Sequence, residues 1–218
     1  MPERLSAWEK EYRKVESLWG FKPDPILMKY ADLVPKGKIL DLGIGEGRNS
    51  LPFAKIGYEV EGYDISPTAI KRCIAMAKKE KLKVKVEAKD LLKIDVTHEK
   101  YSLIIGAWVL NFFRKNEAVK IIKKIRNSLK KDGFVYIAVF SPDDPGCERA
   151  KRNLPAVEEN TYYDREKNCY FHYFTKKEVL SPFADFKLIH YSKGIELDLE
   201  HGRPHYHGFI EYVGQRVK

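Results

Sequence analysis

The chain has few cysteines, and their spacing excludes a disulfide framework. Cys73, Cys147 and Cys169 are its three cysteines in 218 residues, and no two of them form a CxxC pair. A disulfide-rich scaffold or a zinc ribbon requires a larger, closely spaced set. We therefore expect three buried or incidental thiols.

Long apolar runs are also absent. No stretch approaches the roughly 18 consecutive apolar residues of a membrane-spanning helix, and residues 1–5 lack the apolar core of a signal peptide. The composition, with 44% hydrophobic and 33% charged residues, fits a soluble globular protein. A length of 218 residues predicts one domain with a substantial core. We expect a cytoplasmic protein.

Acidic residues are in the minority. Lys and Arg number 40 against 31 Asp and Glu, which gives a formal net charge of +9. Such an excess can attract nucleic acid or anionic substrates. Most of it consists of lysines at positions typical of solvated helix faces, as in residues 78–81. We therefore interpret the excess of positive charge first as surface charge. The enrichment in Lys and Glu also suggests a thermophilic source.

One glycine-rich stretch organises the sequence. A short apolar strand pattern precedes three glycines at alternate positions, Gly43, Gly45 and Gly47. Apolar residues then recur at helical spacing over residues 51–56. A second strand pattern ends at Asp64, about 20 positions after the first glycine, where an acidic residue accepts ribose hydroxyls in nucleotide-binding folds. The unit predicts a site for a nucleoside-containing cofactor.

The spacing of the glycines excludes the dinucleotide fingerprint. That fingerprint requires a third glycine three positions after the second, and Arg48 stands there. Residues 41–47 instead read D-x-G-x-G-x-G, which resembles motif I of the class I S-adenosylmethionine (SAM) methyltransferases. Residues 64–70 resemble the next block of that family, D-x-S-x-x-A. Residues 47–51 look like its tellurite-resistance branch, so the chain resembles a TehB-like or thiopurine-methyltransferase-like enzyme.

The resemblance implies SAM as cofactor and S-adenosylhomocysteine (SAH) as product. Two glycines of the turn would lie against the methionine and ribose portion, and Asp64 would bind the ribose hydroxyls. Ile65 and Leu91 would cover the adenine ring, with Asp90 at its edge. The complete implied set of cofactor-binding residues is Asp41, Gly43, Gly45, Gly47, Arg48, Asn49, Asp64, Ile65, Asp90, Leu91, Ala107 and Trp108.

The N-terminal segment, residues 1–36, predicts two helices. Apolar and aromatic residues recur on one stripe over residues 3–18, and Asp24 is the predicted cap of a second helix. An aromatic stripe of this kind is typical of packing against a core. In related methyltransferases this segment folds over the cofactor. On that resemblance Tyr12 and Trp19 are candidate lid residues.

Strand and helix patterns alternate over residues 37–140, which predicts a SAM-binding core with a parallel sheet. Residues 141–172 have weak periodicity and predict a long substrate-side loop. Residues 173–218 predict a helix and two long strands, similar to the hairpin that closes the class I methyltransferase sheet. The predicted fold class is α/β: a Rossmann-like, doubly wound, mostly parallel seven-stranded sheet with a C-terminal antiparallel hairpin, in a single domain over residues 1–218.

The sequence shows no catalytic dyad, and the predicted chemistry does not require one. Methyl transfer from a sulfonium is an in-line displacement that depends on positioning and desolvation, with a base only where the acceptor must lose a proton. Residues 107–110 read Ala-Trp-Val-Leu, where base-amino methyltransferases usually have an Asn/Asp-Pro-Pro-Tyr tetrapeptide. This departure argues against methylation of base amino groups. Asn111 is the nearby polar candidate for contact with the substrate.

Three histidines lie close together in the predicted last hairpin. His205 and His207 share one face of a strand at period two, and His201 precedes them. Three interpretations are open. The histidines could bind a metal together with a nearby Asp or Glu, they could form part of the active-site rim, or they could be polar residues at the tip of the hairpin. We assign no metal to them. In TehB-like relatives C-terminal His and Arg residues line the substrate side, which makes the three histidines catalytic candidates and Arg203 a substrate candidate.

The predicted function is transfer of a methyl group from SAM to a small-molecule acceptor. A thiol or an oxyanion would suit a basic pocket. The alternatives are an RNA or protein methyltransferase, which the charge of +9 favours, and a non-catalytic SAM-binding protein. Nucleic acid is thus a less favoured partner, and no membrane partner is expected.

Overall fold

The computed structural model of the chain describes residues 3–96, 98–199 and 204–218. Within those ranges the α-helices are α1 (Glu3–Lys14), α2 (Pro25–Lys29), α3 (Leu51–Lys55), α4 (Pro67–Lys79), α5 (Lys115–Ser128), α6 (Pro145–Asn153) and α7 (Lys176–Leu180). The strands are β1 (Lys38–Leu42), β2 (Glu59–Asp64), β3 (Val84–Ala88), β4 (Tyr101–Ala107), β5 (Leu129–Phe140), β6 (Ala156–Glu158), β7 (Thr161–Asp164), β8 (Cys169–His172), β9 (Lys187–Asp198) and β10 (His205–Gln215).

Seven strands form one sheet in the order β3-β2-β1-β4-β5-β10-β9. The first five in that order run parallel, and β10 is antiparallel to both β5 and β9. The chain runs outward from β1 to β3 and then returns to β4 on the other side of β1. Ligands of such folds bind at this reversal, beyond the carboxyl ends of the strands. The predicted doubly wound sheet with a C-terminal antiparallel hairpin is confirmed.

Helices cover both faces of the sheet, as a parallel sheet requires. On one face α5 and α7 pack on the central strands, with Ile121 among the side chains that bury Ile104. On the other face α2 and α3 supply Leu27 and Phe53, which pack with Ile39. Burial of each such side chain contributes about 1.5–3 kcal/mol. The carboxyl ends of β1 and β4 are therefore held in fixed positions by a packed core.

The first helix is shorter than the sequence pattern predicts. α1 ends at Lys14, whereas the apolar stripe continues to residue 18. The chain turns away after the helix, and Ser17 Oγ and Leu18 N–H both donate to the carboxylate of Glu46, at 3.0 and 3.2 Å. These tertiary hydrogen bonds replace the last predicted turn of the helix.

The segment 141–172 is ordered, contrary to the predicted long loop. It contains α6 and a separate antiparallel sheet in the order β6-β7-β8. Asp144 caps α6, since its carboxylate accepts the N–H of Gly146 at 2.6 Å. The helix has 9 residues and the strands have three or four, so neither runs long enough to give a clear hydrophobic period.

The cysteines agree with the expectation from their spacing, because all three are free and buried. Burial raises the pKa of Cys73 to about 12, which keeps this side chain as an unreactive thiol. In the described ranges no helix combines the length and the apolar character needed to span a membrane.

Candidate active site

A pocket opens at the carboxyl ends of β1, β2 and β4, where the strand order reverses. Its volume is about 950 Å³ with the open mouth included, at the upper end of the range of small-molecule sites. Most of the residues predicted from the sequence meet here: Tyr12, Trp19, Asp41, Gly43, Gly45, Arg48, Asn49, Asp64, Ile65, Asp90, Leu91, Ala107 and Trp108 line it. The position is the one expected for the ligand of a doubly wound sheet.

The glycine turn forms the floor of the pocket. Gly43 N–H donates to the backbone oxygen of Tyr63 at 2.8 Å, which ties the turn to the end of β2. Gly45 has a φ of +55°, and a Cβ there would lie 2.6 Å from the hydroxyl of Tyr12. Only glycine adopts this conformation without strain and leaves room for the tyrosine. The turn therefore presents bare backbone to the pocket.

Gly47 is an exception among the predicted cofactor-binding glycines. It does not line the pocket. Its φ is +88°, and a Cβ there would lie 2.7 Å from Cγ of Leu51 and 3.0 Å from Sγ of Cys73. The residue must be glycine because the turn packs closely on α3 and α4. The repeat of alternate glycines therefore reflects backbone packing as well as ligand access.

Asp64 ends β2 with its side chain in the pocket. Gly45 N–H donates to Oδ2 at 3.0 Å and Ser66 N–H donates to Oδ1 at 2.8 Å, so both carboxylate oxygens are held by backbone. Burial raises the pKa of Asp64 to about 6, although these N–H donors oppose the shift. The carboxylate is thus fixed in orientation and retains lone pairs that can accept further hydroxyl donors.

A second acidic group lies beside the glycine turn. Asp41, in the last part of β1, lines the pocket, and burial raises its pKa to about 7. Arg48 lies near enough to oppose that shift. The guanidinium of Arg48 also pairs with Asp24 at 2.6 Å, and the amide of Asn49 donates to the same carboxylate at 3.2 Å. Asp24 is the N-cap residue of α2, as the sequence pattern predicted, but its side chain makes no capping hydrogen bond and instead holds these two pocket residues.

The turn after β3 supplies the opposite side of the pocket. Leu91 is buried, and its neighbour Asp90 accepts the N–H of Leu92 at 3.0 Å. Ile65, directly after β2, also lines the pocket. Two apolar side chains and a carboxylate therefore line this part of the pocket. Such a set can pack on a purine ring and accept its amino group.

Trp108 stands at the carboxyl end of β4 with a positive φ of +58°. A bulky residue rarely adopts this conformation, which costs about 1–3 kcal/mol. The backbone N–H of Trp108 donates to the backbone oxygen of Ala138 at 2.7 Å, and its ring contacts Phe140 at a centroid distance of 5.4 Å. These neighbours hold the indole at the pocket wall. A strained aromatic residue in this position indicates a functional constraint on the pocket wall.

Aromatic residues of the N-terminal segment cover the pocket. Trp8, Tyr12 and Trp19 all line it. The rings of Trp8 and Phe112 meet edge to face at 4.4 Å, and those of Trp8 and Trp19 lie 6.2 Å apart. Tyr12 and Trp19 were predicted here, whereas Trp8 was not. Its position one helical turn before Tyr12, on the same stripe, was the available signal.

Polar contacts attach this segment to the amino end of α4. The carboxylate of Glu9 accepts from Ser66 Oγ at 2.7 Å, from Thr68 Oγ1 at 2.7 Å and from Thr68 N–H at 3.1 Å. Desolvation opposes ionisation of Glu9, but these donors lower its pKa to about 2. Arg72 pairs with Glu46 at 3.1 Å. Neither contact could be predicted from the sequence, because each joins residues far apart in the chain.

The pocket is acidic and aromatic, so the expectation of a basic pocket does not hold. Four of its lining residues are Asp or Glu, and its cationic side chain, Arg48, is already paired with Asp24. Carboxylates and aromatic faces favour a sulfonium cation. A pyrophosphate would instead meet like charge. The residues present therefore fit SAM and do not fit a dinucleotide.

Three of the predicted substrate or catalytic residues lie outside the pocket. Asn111 is fully buried in a 3-10 helix (Leu110–Phe112), and its amide donates to the backbone oxygen of His172 at 2.9 Å. His205 and His207 lie at the start of β10, beside the connection from β9, and do not line the pocket. His201 and Arg203 lie outside the described residues.

Solved structures with the same architecture include SAM-dependent methyltransferases. The chain is similar to TehB of Haemophilus influenzae with a TM-score of 0.69 and 20% identity, over 88% of this chain and 62% of that one. It is also similar to a Burkholderia thailandensis 1,6-didemethyltoxoflavin-N1-methyltransferase with bound SAH, with a TM-score of 0.72 and 16% identity, over 99% and 88% of the two chains. The fold is that of the class I methyltransferases.

The family is more specific than the fold. A family model described as tellurite resistance protein TehB matches residues 25–173. The chain belongs to the TehB family, which confirms the resemblance seen in the sequence. A curated relative from H. influenzae, named "Probable S-adenosyl-L-methionine-dependent methyltransferase TehB", is 30% identical over 118 residues. The match covers 54% of this chain and 41% of that protein, so the chain spans about two fifths of that relative's length.

Proposed function

We propose that this chain is a SAM-dependent methyltransferase that acts on a small-molecule acceptor. The observation that carries the proposal is the buried carboxylate of Asp64, fixed by the N–H groups of Gly45 and Ser66 beside bare glycine backbone. Its membership of the TehB family and the name of the H. influenzae relative support the same activity. The acidic, aromatic lining supports SAM as the cofactor.

Each part of the pocket has a role in this proposal. Asp64 accepts the ribose hydroxyls, and the backbone of the glycine turn lies against the methionine and ribose portion. Ile65 and Leu91 cover the adenine ring, with Asp90 at its amino group. Tyr12 and Trp19 close the pocket over the sulfonium. Bound SAM supplies an activated methyl group, so the protein has mainly to orient the acceptor and exclude water.

The lining of the pocket favours a neutral acceptor over an oxyanion. Three tryptophans and two phenylalanines surround the space that is open to an acceptor, and Arg48, the cationic side chain among the lining residues, is already engaged. An oxyanion would lose hydration here without gaining a free cation. Of the acceptors expected from the sequence, a small thiol therefore suits the pocket better than tellurite or selenite.

Several wider assignments belong to the same proposal. We regard residues 1–218 as one domain, in which residues 1–36 form the lid segment and residues 37–140 the cofactor-binding core. We place the protein in the cytoplasm and expect a thermophilic source from its Lys and Glu content. His205 and His207 lie outside the pocket, so any part they have in the reaction is at the rim.

A substrate panel with labelled SAM tests the proposal. Thiols, oxyanions, small amines and RNA are incubated with the protein, and transfer of label is measured for each. We expect transfer to at least one small molecule, with thiols ahead of oxyanions. Transfer to RNA alone, with salt-dependent affinity, would establish the nucleic-acid alternative. SAM binding by calorimetry without turnover on any acceptor would identify a binding protein.

A further inference from the structure

A cluster of two histidines and one aspartate lies at the end of the β9–β10 hairpin where the chain passes from β9 to β10. Strand pairing places His205 directly opposite Asp198, and His207 follows on the same face. One ligand atom from each of these three residues lies within 4.8 Å of the other two. Nε2 of His207 is 3.8 Å from Oδ2 of Asp198. We call Asp198, His205 and His207 the hairpin cluster.

The imidazole of His207 is oriented by a buried carboxylate. Nδ1 of His207 lies 3.0 Å from Oδ2 of Asp144, and the same oxygen accepts the N–H of Gly208 at 3.0 Å. Because a carboxylate only accepts, Nδ1 carries the proton in this contact. Nε2 then presents its lone pair on the side of the ring that faces Asp198. Histidines that bind metals are held in this way by a carboxylate on the other ring nitrogen.

Packing fixes the position of this histidine before any ligand arrives. The ring of Phe140 stacks on His207 at a centroid distance of 4.8 Å and an interplanar angle of 21°. Gly208 allows the loop before α6 to lie directly on β10, since a Cβ there would overlap the backbone of Asp143 and Asp144. The hairpin cluster is thus supported by β5, β10 and the start of α6. Rigid support of this kind reduces the entropy lost when ligands gather around an ion.

We propose that the hairpin cluster binds a divalent first-row transition metal of the zinc type. His205 and His207 supply imidazole nitrogens, Asp198 supplies a carboxylate oxygen, and solvent completes the coordination. Ligand atoms about 2.0–2.2 Å from such an ion lie roughly 3–4 Å apart, so small side-chain rotations close the present spacing. Two imidazoles and one carboxylate form a ligand set that selects transition metals over calcium or magnesium.

The charge around the hairpin cluster also favours a cation. Glu196 stands opposite His207 across the strand pair. The carboxylates of Glu196 and Asp198 are close enough to repel each other. A bound divalent cation would relieve this repulsion.

Zinc titration of tag-free protein, stripped with chelator and dialysed, tests the proposal. Calorimetry should show one equivalent of zinc bound with micromolar or tighter affinity. His205→Ala, His207→Ala and Asp198→Asn should each weaken binding at least tenfold. Asp144→Asn should weaken it roughly 10- to 100-fold, as expected for a positioning residue. The cobalt derivative should show visible d–d absorption that each of these four variants changes.

His98→Ala is the matched control, since His98 is exposed and outside the hairpin cluster. It should bind zinc as the parent protein does. SAH binding and the melting temperature of each metal-free variant report whether the fold is intact. If His207→Ala does not fold, the variants at His205 and Asp198 test the proposal, because these two residues are partly exposed. No stoichiometric binding at 100 μM zinc, or equal affinity in the folded variants, would overturn the proposal whether or not the protein transfers methyl groups.

Discussion

At the scale of single residues, Asp64 connects the glycine turn to the loop after β2. Its two oxygens receive N–H donors from Gly45 and Ser66, which belong to different loops. The carboxylate therefore sets the spacing of the loops, and in the proposed function it also offers acceptors to the ribose. Its burial, with a pKa of about 6, means that its charge changes in an accessible pH range.

We predict that Asp64→Ala weakens SAM binding by roughly 1.5–3 kcal/mol, the contribution of a hydrogen bond to a charged group. Calorimetric titration with SAM and SAH measures the change. Glu59→Ala is the control, since Glu59 is exposed at the other end of the same strand and should leave the affinity unaltered. An Asp64→Ala variant that folds and binds SAM as tightly as the parent would remove Asp64 from the ribose site.

The affinity for SAH should also depend on pH. The ribose hydroxyls need the ionised form of Asp64, whose pKa of about 6 lies above the ordinary value of 3.8. Below pH 6 the affinity should therefore fall, by about tenfold per pH unit. The free energy of unfolding of the free protein should change with pH in the opposite direction. Because the pKa of Asp64 is raised on folding, its contribution to stability is complete below pH 3.8 and is lost as the pH rises through 6.

Titrations between pH 5 and pH 7.5 check this dependence. Asp64→Asn should bind more weakly at pH 7.5 and show a shallower slope. The remaining slope belongs to Asp41, whose pKa of about 7 lies in the same window. If the affinity of the parent protein does not change with pH, neither carboxyl group releases a proton when the ligand binds.

At the scale of elements, α1 is tied to the rest of the pocket by polar side chains as well as by its aromatic residues. Its attachment depends on Glu9, which accepts three hydrogen bonds from Ser66 and Thr68, and on Arg72, which donates to the backbone oxygens of Tyr12 and Val15 at 2.9 and 2.7 Å. The aromatic side chains that close the pocket are carried by this segment. Polar contacts of this kind can open without unfolding the sheet.

We predict that Glu9→Gln loosens the lid segment. Loss of the charged acceptor should speed hydrogen exchange over residues 8–22 and weaken SAH binding by about 1–2 kcal/mol, since each hydrogen bond to a charged group contributes about 1.5–3 kcal/mol and glutamine retains part of it. Glu11→Gln on the same helix is the control, because Glu11 contacts only Lys14 among the described pairs. Added SAH should slow exchange over residues 8–22 in the parent protein. Equal exchange with and without SAH would argue against a closing lid.

At the scale of the whole molecule, the pocket joins segments that are distant in sequence. Residues from α1 and from the loops after β1, β2, β3 and β4 all line it. A ligand that binds all of them holds the N-terminal segment against the sheet. Binding to the folded state alone must raise the free energy of unfolding.

We predict that SAH at about 100 times its Kd stabilises the protein by about 2.7 kcal/mol. For a chain of this size the melting temperature should rise by roughly 5–11 °C. Thermal unfolding with SAH, SAM and NAD measures the effect, and NAD should give no shift because the pocket carries carboxylates where a pyrophosphate would lie. A larger shift with NAD than with SAH would reverse the cofactor assignment.

The sequence alone determined the features that depend on local order. The alternation of apolar strands and helices predicted the parallel sheet, and the glycine spacing together with Asp64 predicted the position and class of the pocket. These signals are readable because strand period, positive φ and the short distance between motif residues are properties of neighbouring residues. Short elements such as β6, β7 and β8 gave no comparable period, which is why residues 141–172 were expected to be a loop.

Only the tertiary structure decided which charges meet. Most of the net charge of +9 was interpreted as surface charge, and none of the described lysines lines the pocket. The fold brings four carboxylates together there, from β1, from the glycine turn, from the end of β2 and from the turn after β3. Asp24 is the N-cap residue of α2, as its sequence signature predicted, but folding brings Arg48 within 2.6 Å and the carboxylate pairs with that charge instead of with the N–H groups of the helix. The approach of α6 likewise put Asp144 against His207. Contacts between residues so far apart in the chain depend on the packing of the whole sheet, because no local pattern encodes them.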